Sequence, residues 1–197
     1  MTGADIDPPV PRPPGTTAWD GESYHRRFDA LAAAGVDIHG EVDCLMTFEP
    51  HSVLDAGCGT GRVAAELTRR GVAAVGIDRD PSMIATARQL APGVRFEVLD
   101  VVLADLGESF DMVVMAGNVP LFTPEGTQAV LVAGCARHLA RGGRLVTGFQ
   151  LGRGYTLEDY DADCTAAGLV AEVRWSTWDR DAFVEGTDYV VSIHRRP

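Results

Sequence analysis

Val53-Leu54-Asp55-Ala56-Gly57-Cys58-Gly59-Thr60-Gly61-Arg62 reads as a buried strand turning sharply into a helix N-terminus. Val53 and Leu54 supply the apolar end of the strand. Gly57, Gly59 and Gly61 permit positive φ or close backbone approach, which leaves amides exposed beside the positive end of a helix dipole. A ligand can lie directly on such a backbone.

Glycine-rich turns after a first strand serve both nicotinamide and S-adenosylmethionine (SAM) ligands, and the spacing separates them. A dinucleotide fingerprint wants G-x-G-x-x-G, with its third glycine where Arg62 stands. This chain has G-x-G-x-G with Asp55 ahead of it. An acid there can meet an ammonium group, directly or through water, and sits badly against a pyrophosphate. On these residues the chain resembles the class I SAM-dependent methyltransferases.

The resemblance runs from about Ser52 to the C-terminus and rests on four stations. The glycine turn is the first. Ala73-Ala74-Val75-Gly76-Ile77-Asp78 is a short apolar run ending in an acid, placing Asp78 at the carboxyl tip of a second strand, where its carboxylate can accept from two vicinal ribose hydroxyls. Phe96-Glu97-Val98-Leu99-Asp100 repeats the form, and the family uses an acid there to accept from the adenine amino group. Phe110-Asp111-Met112-Val113-Val114-Met115 is a fourth apolar strand, followed by Ala116-Gly117-Asn118 at the mouth of the site. In open parallel sheets that edge is where ligands bind. The resemblance implies a cofactor-binding set of Tyr24, Arg26, Asp55, Ala56, Gly57, Gly59, Arg62, Asp78, Arg79, Met83, Asp100, Val101, Ala116 and Asn118. SAM is the cofactor it implies, with S-adenosylhomocysteine (SAH) as product.

Sheet and helix alternate along the rest of the chain. Arg62 to Gly71 suits a helix, as does Pro81 to Ala91 with Asp80 as N-cap and Pro81 at the first helical position. Glu125 to Ala140 is expected to be helical, with Gly142-Gly143 beyond its end. Arg144 to Phe149 reads as a fifth strand, and Thr156 caps a helix running to Gly168. Leu169 to Trp178 and Asp188 to His194 alternate as a closing hairpin. The expected fold is α/β, a Rossmann-like doubly wound sheet of seven strands, mostly parallel with one antiparallel C-terminal strand. That resembles the methyltransferase sheet.

At 197 residues one such domain buries roughly 70% of its unfolded surface, enough for one substantial core. Met1 to about Thr17 holds five prolines with few apolar side chains and is expected to be an unstructured tail, leaving residues 18–197 as the domain. No run is long and apolar enough to span a membrane, and no signal peptide opens the chain, so a cytoplasmic protein is expected. Cys44, Cys58, Cys135 and Cys164 are too scattered for a zinc site or disulfide framework, and no metal is expected. Cys58, although inside the glycine turn, is read as a packing residue.

The net charge of -11 argues against a polyanionic substrate. Arg69-Arg70 and Arg195-Arg196 are isolated pairs rather than a basic stripe. Methyltransferases acting on exocyclic amines of DNA bases carry Asp or Asn, two prolines and an aromatic after the fourth strand, whereas this chain reads Asn118-Val119-Pro120-Leu121. The expected partner is therefore a small-molecule methyl acceptor rather than nucleic acid or a membrane.

Ahead of the sheet, Tyr24, Phe28 and Leu31 recur at helical spacing, as do Val42, Leu45 and Met46, predicting two lid helices within about 19–48. Related small-molecule enzymes cover SAM with such helices, and Tyr24, Arg26 and Arg62 are candidates for the methionine carboxylate. Trp19, Phe122, Tyr155 and Trp178 are candidates for an aromatic acceptor lining. His25, His39 and Tyr155 are candidate proton acceptors for a hydroxyl substrate, and none is assigned. Two other classes remain at this stage: a non-catalytic SAM-binding or partner-binding protein, and a nicotinamide oxidoreductase. Aminopropyl transfer is disfavoured because no matching acidic motif follows the fourth strand.

Overall fold

The computed structural model describes residues 20–184 and 186–197. The proline-rich segment and Trp19 lie outside the described residues. The elements run α1 (Gly21–Ala33), α2 (Gly40–Met46), β1 (Ser52–Ala56), α3 (Arg62–Arg69), β2 (Ala73–Asp78), α4 (Pro81–Leu90), β3 (Arg95–Val98), β4 (Phe110–Met115), α5 (Val119–Phe122), α6 (Gln128–Arg137), β5 (Leu139–Gln150), α7 (Leu157–Ala166), β6 (Val170–Trp175) and β7 (Tyr189–Arg195).

The seven strands form one sheet in the order β3-β2-β1-β4-β5-β7-β6. Neighbours are parallel from β3 to β5, and β7 runs antiparallel to both β5 and β6. Alternation along the central strands divides the core between two faces. Leu54, Val113, Met115 and Leu145 join one cluster with Leu131, Phe149 and Tyr160. Val53, Met112, Val114 and Val146 join the other with Val42, Leu45 and Leu67. Both faces are covered, which is why these strands read as nearly continuous apolar runs. Among the described residues no helix is long and apolar enough to cross a membrane.

The chain winds outward from β1 to β3 and then crosses back to lay β4 on the other side of β1. That reversal opens a crevice at the carboxyl ends of β1 and β4, where the glycine turn lies.

Three expectations need correction. The helix expected over Glu125–Ala140 is shorter, and β5 begins at Leu139 rather than Arg144. Leu139 already pairs with Phe110, and the register shifts between Phe110 and Met112. Gly142 and Gly143 lie within this irregular strand: Gly142 N donates to Arg196 O at 2.8 Å and Arg196 N to Gly143 O at 2.8 Å. A Cβ on Gly143 would stand 2.9 Å from the carbonyls of Ala140 and Asp111, so the pair serves a strand kink rather than a helix stop. Second, β3 ends at Val98, which leaves Asp100 in the following loop rather than on the strand tip. Third, Val119–Phe122 forms a short helix that was not expected, entered through Asn118 in the left-handed region at φ 57°.

Candidate functional site

The turn after β1 is built by hydrogen bonds to β2. Gly57 N and Cys58 N both donate to Ile77 O, at 2.8 and 2.9 Å. Gly59 N donates to Asp78 Oδ2 at 2.9 Å, while Asp78 Oδ1 accepts from Asp80 N at 2.9 Å. Asp78 thus braces the turn as well as facing it, and burial pushes its carboxyl upward. Gly61 takes φ 79° as the N-cap of α3, and a Cβ there would lie 2.5 Å from the Phe96 ring. Gly57 takes φ 81°, and a Cβ there would meet Val119 Cγ2 at 2.6 Å, so the short helix α5 sits directly on the turn. Cys58 packs with its Sγ 2.9 Å from the Cβ position of Gly76, and burial raises its thiol, as befits a packing residue.

Asp55 departs from the role expected of it. It is 2% exposed, and its Oδ2 accepts from Ala64 N at 3.1 Å. Ala64 is the third residue of α3, whose amide has no partner within the helix, so Asp55 caps α3 from beneath rather than opening onto a ligand. Burial pushes its carboxyl up to about 7. With the folded pKa above the ordinary value of 3.8, folding is penalised as pH rises past 3.8, and the penalty is complete above about 7. Asp55→Asn keeps an acceptor for Ala64 and removes the ionisation. Its melting temperature relative to wild type should therefore climb by several degrees from about pH 4 to about pH 8. A pH-independent difference between the two proteins would defeat this account.

The N-terminal helices grip the same turn. Tyr24 Cε1 stands 3.7 Å from the Cβ position of Gly59. His25 Nδ1 is 3.1 Å from Thr60 Oγ1, and His25 Nε2 is 3.5 Å from Asp29 Oδ1. Arg62 lies 4.7 Å over the Phe28 ring, donates to Ile38 O, and forms a two-point ion pair with Glu41 that includes an Nη1–Oε2 contact of 2.8 Å. These two side chains are only 12% and 8% exposed. Arg62 thereby ties the start of α3 to α2. Arg26 is exposed on α1 and donates to Ser23. Its neighbour Arg27, which was overlooked, stacks 4.9 Å from the centroids of both Tyr24 and Phe28. The three-residue spacing from Tyr24 was the available signal. Glu41 had none, because its partner lies 21 positions away.

The remaining candidates divide between the cleft and its supports. Arg79 Nη2 donates to Phe122 O at 3.2 Å, linking the tip of β2 to α5 across the end of β1. Asp100 Oδ1 accepts from Val102 N at 3.0 Å, which shapes the loop after β3. Met83, Val101, Ala56 and Ala116 are buried. Asn118 Oδ1 accepts from Gln150 N at 2.7 Å and its own N donates to Gly148 O at 3.1 Å, so it fastens the ends of β4 and β5 together.

Of the aromatic lining, Phe122 is exposed on α5. Tyr155 is 6% exposed, packs 5.7 Å from Phe149 between ring centroids, and donates to Asp163 Oδ2 at 2.6 Å. Burial and that carboxylate push its phenol upward, so it is a core residue and no proton acceptor. Trp178 is also buried, with Nε1 donating to Tyr189 Oη at 3.1 Å and its ring where a Cβ on Gly148 would be. It supports the wall rather than lining it. His39 occupies the N-cap position of α2 without a side-chain capping bond, and of the three proton acceptors considered, His25 is the one brought to the turn.

Comparison with known proteins agrees with this geometry. The family model described as "Methyltransferase domain" matches residues 53–143, from the first strand to the kink in β5. A trans-aconitate 2-methyltransferase of Deinococcus radiodurans is 34% identical over 132 residues, covering 64% of this chain and 47% of that protein. A ubiquinone biosynthesis O-methyltransferase of Alkalilimnicola ehrlichii is 30% identical over 144 residues, covering 61% of this chain and 56% of its own length. The chain spans about half the length of these relatives. The crystal structure of a TehB-like SAM-dependent methyltransferase from Corynebacterium glutamicum superposes with a TM-score of 0.85 at 36% identity, over 90% of this chain and 98% of that one. With the glycine turn, the braced acid and the sheet order all in place, the chain belongs to the class I S-adenosylmethionine-dependent methyltransferases.

Proposed function

We propose that this protein binds SAM at the turn after β1 and methylates a small-molecule acceptor, with catalysis resting on alignment. The observation that carries the reading is the turn itself. Three glycines at positive φ lie at the reversal point of the sheet, with Asp78 holding one amide and keeping lone pairs for hydroxyl donors. Tyr24 over Gly59 supplies a cover, and the second carboxylate oxygen of Asp100 is an acceptor for an amino group. These features fit a nucleoside carrying an amino-acid tail.

When bound, SAM supplies a methyl carbon already activated by its sulfonium. The protein's task is then to hold the acceptor in line and exclude water, and positioning of this kind is worth about 7–11 kcal/mol. The walls available are α1 and α2, the segment from Asn118 to Thr123, and the hairpin of β6 and β7. No general base is assigned. His25 serves here to hold Thr60. The net charge of -11 and the methylated small molecules named for the sequence relatives support a metabolite over a nucleic acid.

Calorimetry should show SAH binding in the micromolar range and no useful binding of NADH. Labelled SAM should deliver its methyl group to the low-molecular-mass fraction of a metabolite extract. The reverse cofactor preference would end the reading. Label confined to macromolecules would replace the acceptor class, and binding without transfer would favour a non-catalytic binding protein.

Gly59→Val probes the turn directly. Gly59 sits at φ 54°, while its Cβ position is in ordinary contact with Tyr24, so backbone conformation rather than space excludes valine. The variant should lose SAH binding with only a modest drop in melting temperature. Retained affinity in the folded variant would make the turn a mere connection.

A further inference from the structure

The loop from 99 to 109 carries Asp100, the acid assigned to the adenine amino group, and the end of α6 holds this loop in place. Leu106 N donates to His138 Nε2 at 3.0 Å. A backbone N–H can only donate, so Nε2 bears no hydrogen and the ring proton sits on Nδ1. Nδ1 in turn donates to Gly134 O at 2.8 Å. His138 is 4% exposed, and its carbonyl also accepts from Phe110 N at 2.8 Å, where the loop enters β4. Arg137 Nη2 reaches Ala104 O at 3.4 Å, and a Cβ on Gly134 would stand 3.0 Å from Val101 O. The end of α6 thus meets the loop's backbone at Val101, Ala104, Leu106 and Phe110.

We propose that His138 is a positioning residue for the nucleotide end of the cofactor: it sets the backbone of this loop so that Asp100 faces the adenine before any ligand arrives. The inference rests on the SAM reading above. The residue is suited to the task because one imidazole tautomer satisfies two backbone groups 28 positions apart, Leu106 N and Gly134 O, with no water required. Without that tie, the loop must be ordered when the ligand binds, and the ordering is drawn from affinity.

The test uses SAH and S-inosylhomocysteine, which lacks the adenine amino group, as paired probes in calorimetry. Wild type should prefer SAH. His138→Ala should weaken SAH binding about 10-fold, the cost of ordering roughly one backbone residue on binding. It should weaken the inosine analogue less, so that the preference shrinks. His138→Gln, whose carboxamide oxygen reaches the Nε2 position and can accept from Leu106, should restore most of both affinity and preference. His138→Asn, which ends near the Nδ1 position, should not. A folded alanine variant with wild-type affinity and wild-type preference overturns the proposal. So does a fall in melting temperature with the preference intact, which would mark a purely structural histidine. If the alanine variant does not fold, the glutamine and asparagine variants are compared instead, and equal behaviour of those two overturns it. Failure of wild type to bind SAH at all would instead defeat the cofactor reading.

Discussion

Asp78→Ala is expected to weaken SAH binding about 10- to 1000-fold: in the binding mode proposed above it would remove two charge-assisted hydrogen bonds to the ribose, which water would only partly replace. An acid at an open strand end ordinarily supports little packing, and its loss is then expected to cost little stability. The structure changes that expectation. Asp78 is half-buried, and its two oxygens accept from Gly59 N and Asp80 N. Alanine leaves both amides without this acceptor, at a cost of about 1–3 kcal/mol for each that stays dry. The melting temperature should therefore fall together with affinity. Asp78→Asn is the sharper variant. Its amide nitrogen must face one of the two N–H groups, so it should lie between wild type and alanine, nearer alanine. Calorimetry and thermal melting on both variants decide the matter, and wild-type SAH affinity in both would place the ribose contact elsewhere.

Glu41→Ala should destabilise the protein by about 3–5 kcal/mol, the cost of leaving a buried charge without its partner. Burial opposes the charge on Arg62, yet its pKa is raised overall because Glu41 more than offsets that penalty. Removing Glu41 takes away the largest compensation and leaves only Ile38 O and the Phe28 ring as direct contacts of Arg62 among the described residues. Because Arg62 opens α3 and also lies over Phe28, the loss should reach the seating of α1 and α2 on the glycine turn. The pair Glu41→Leu with Arg62→Met should recover much of the stability, since neither charge is then buried alone. Urea unfolding of wild type and these two variants measures this. A loss below about 1 kcal/mol for Glu41→Ala would show that the pair behaves as an exposed one.

The fold was legible from local signals that act over a few residues. The three positive-φ glycines, Asp80 with Pro81, and the capping box of Thr156 with Asp159 are each specified by backbone conformation or by a hydrogen bond within one turn. The apolar runs of β1, β2 and β4 and the alternation of the closing hairpin follow from burial on two faces and from the period of a strand. Misreadings came where a distant segment intervened. Leu139 looked helical because its pairing with Phe110 is invisible to a local pattern, and Gly142-Gly143 signals a helix end unless the backbone of Arg196 is known to bond there.

By itself, the sequence determined the glycine-rich strand–turn–helix, the alternation of strands and helices, and the acid at the tip of β2, because torsional preference and apolar periodicity are properties of short segments. Only the tertiary structure decided which polar groups those elements leave available. Arg62 is taken by Glu41 and Ile38, Asp55 is buried under α3, Tyr155 is turned into the core against Asp163, and Arg27 replaces Arg26 beside Tyr24. A charged side chain is settled by whichever partner lies within about 3 Å of it in the folded chain, and that partner is often tens of residues away.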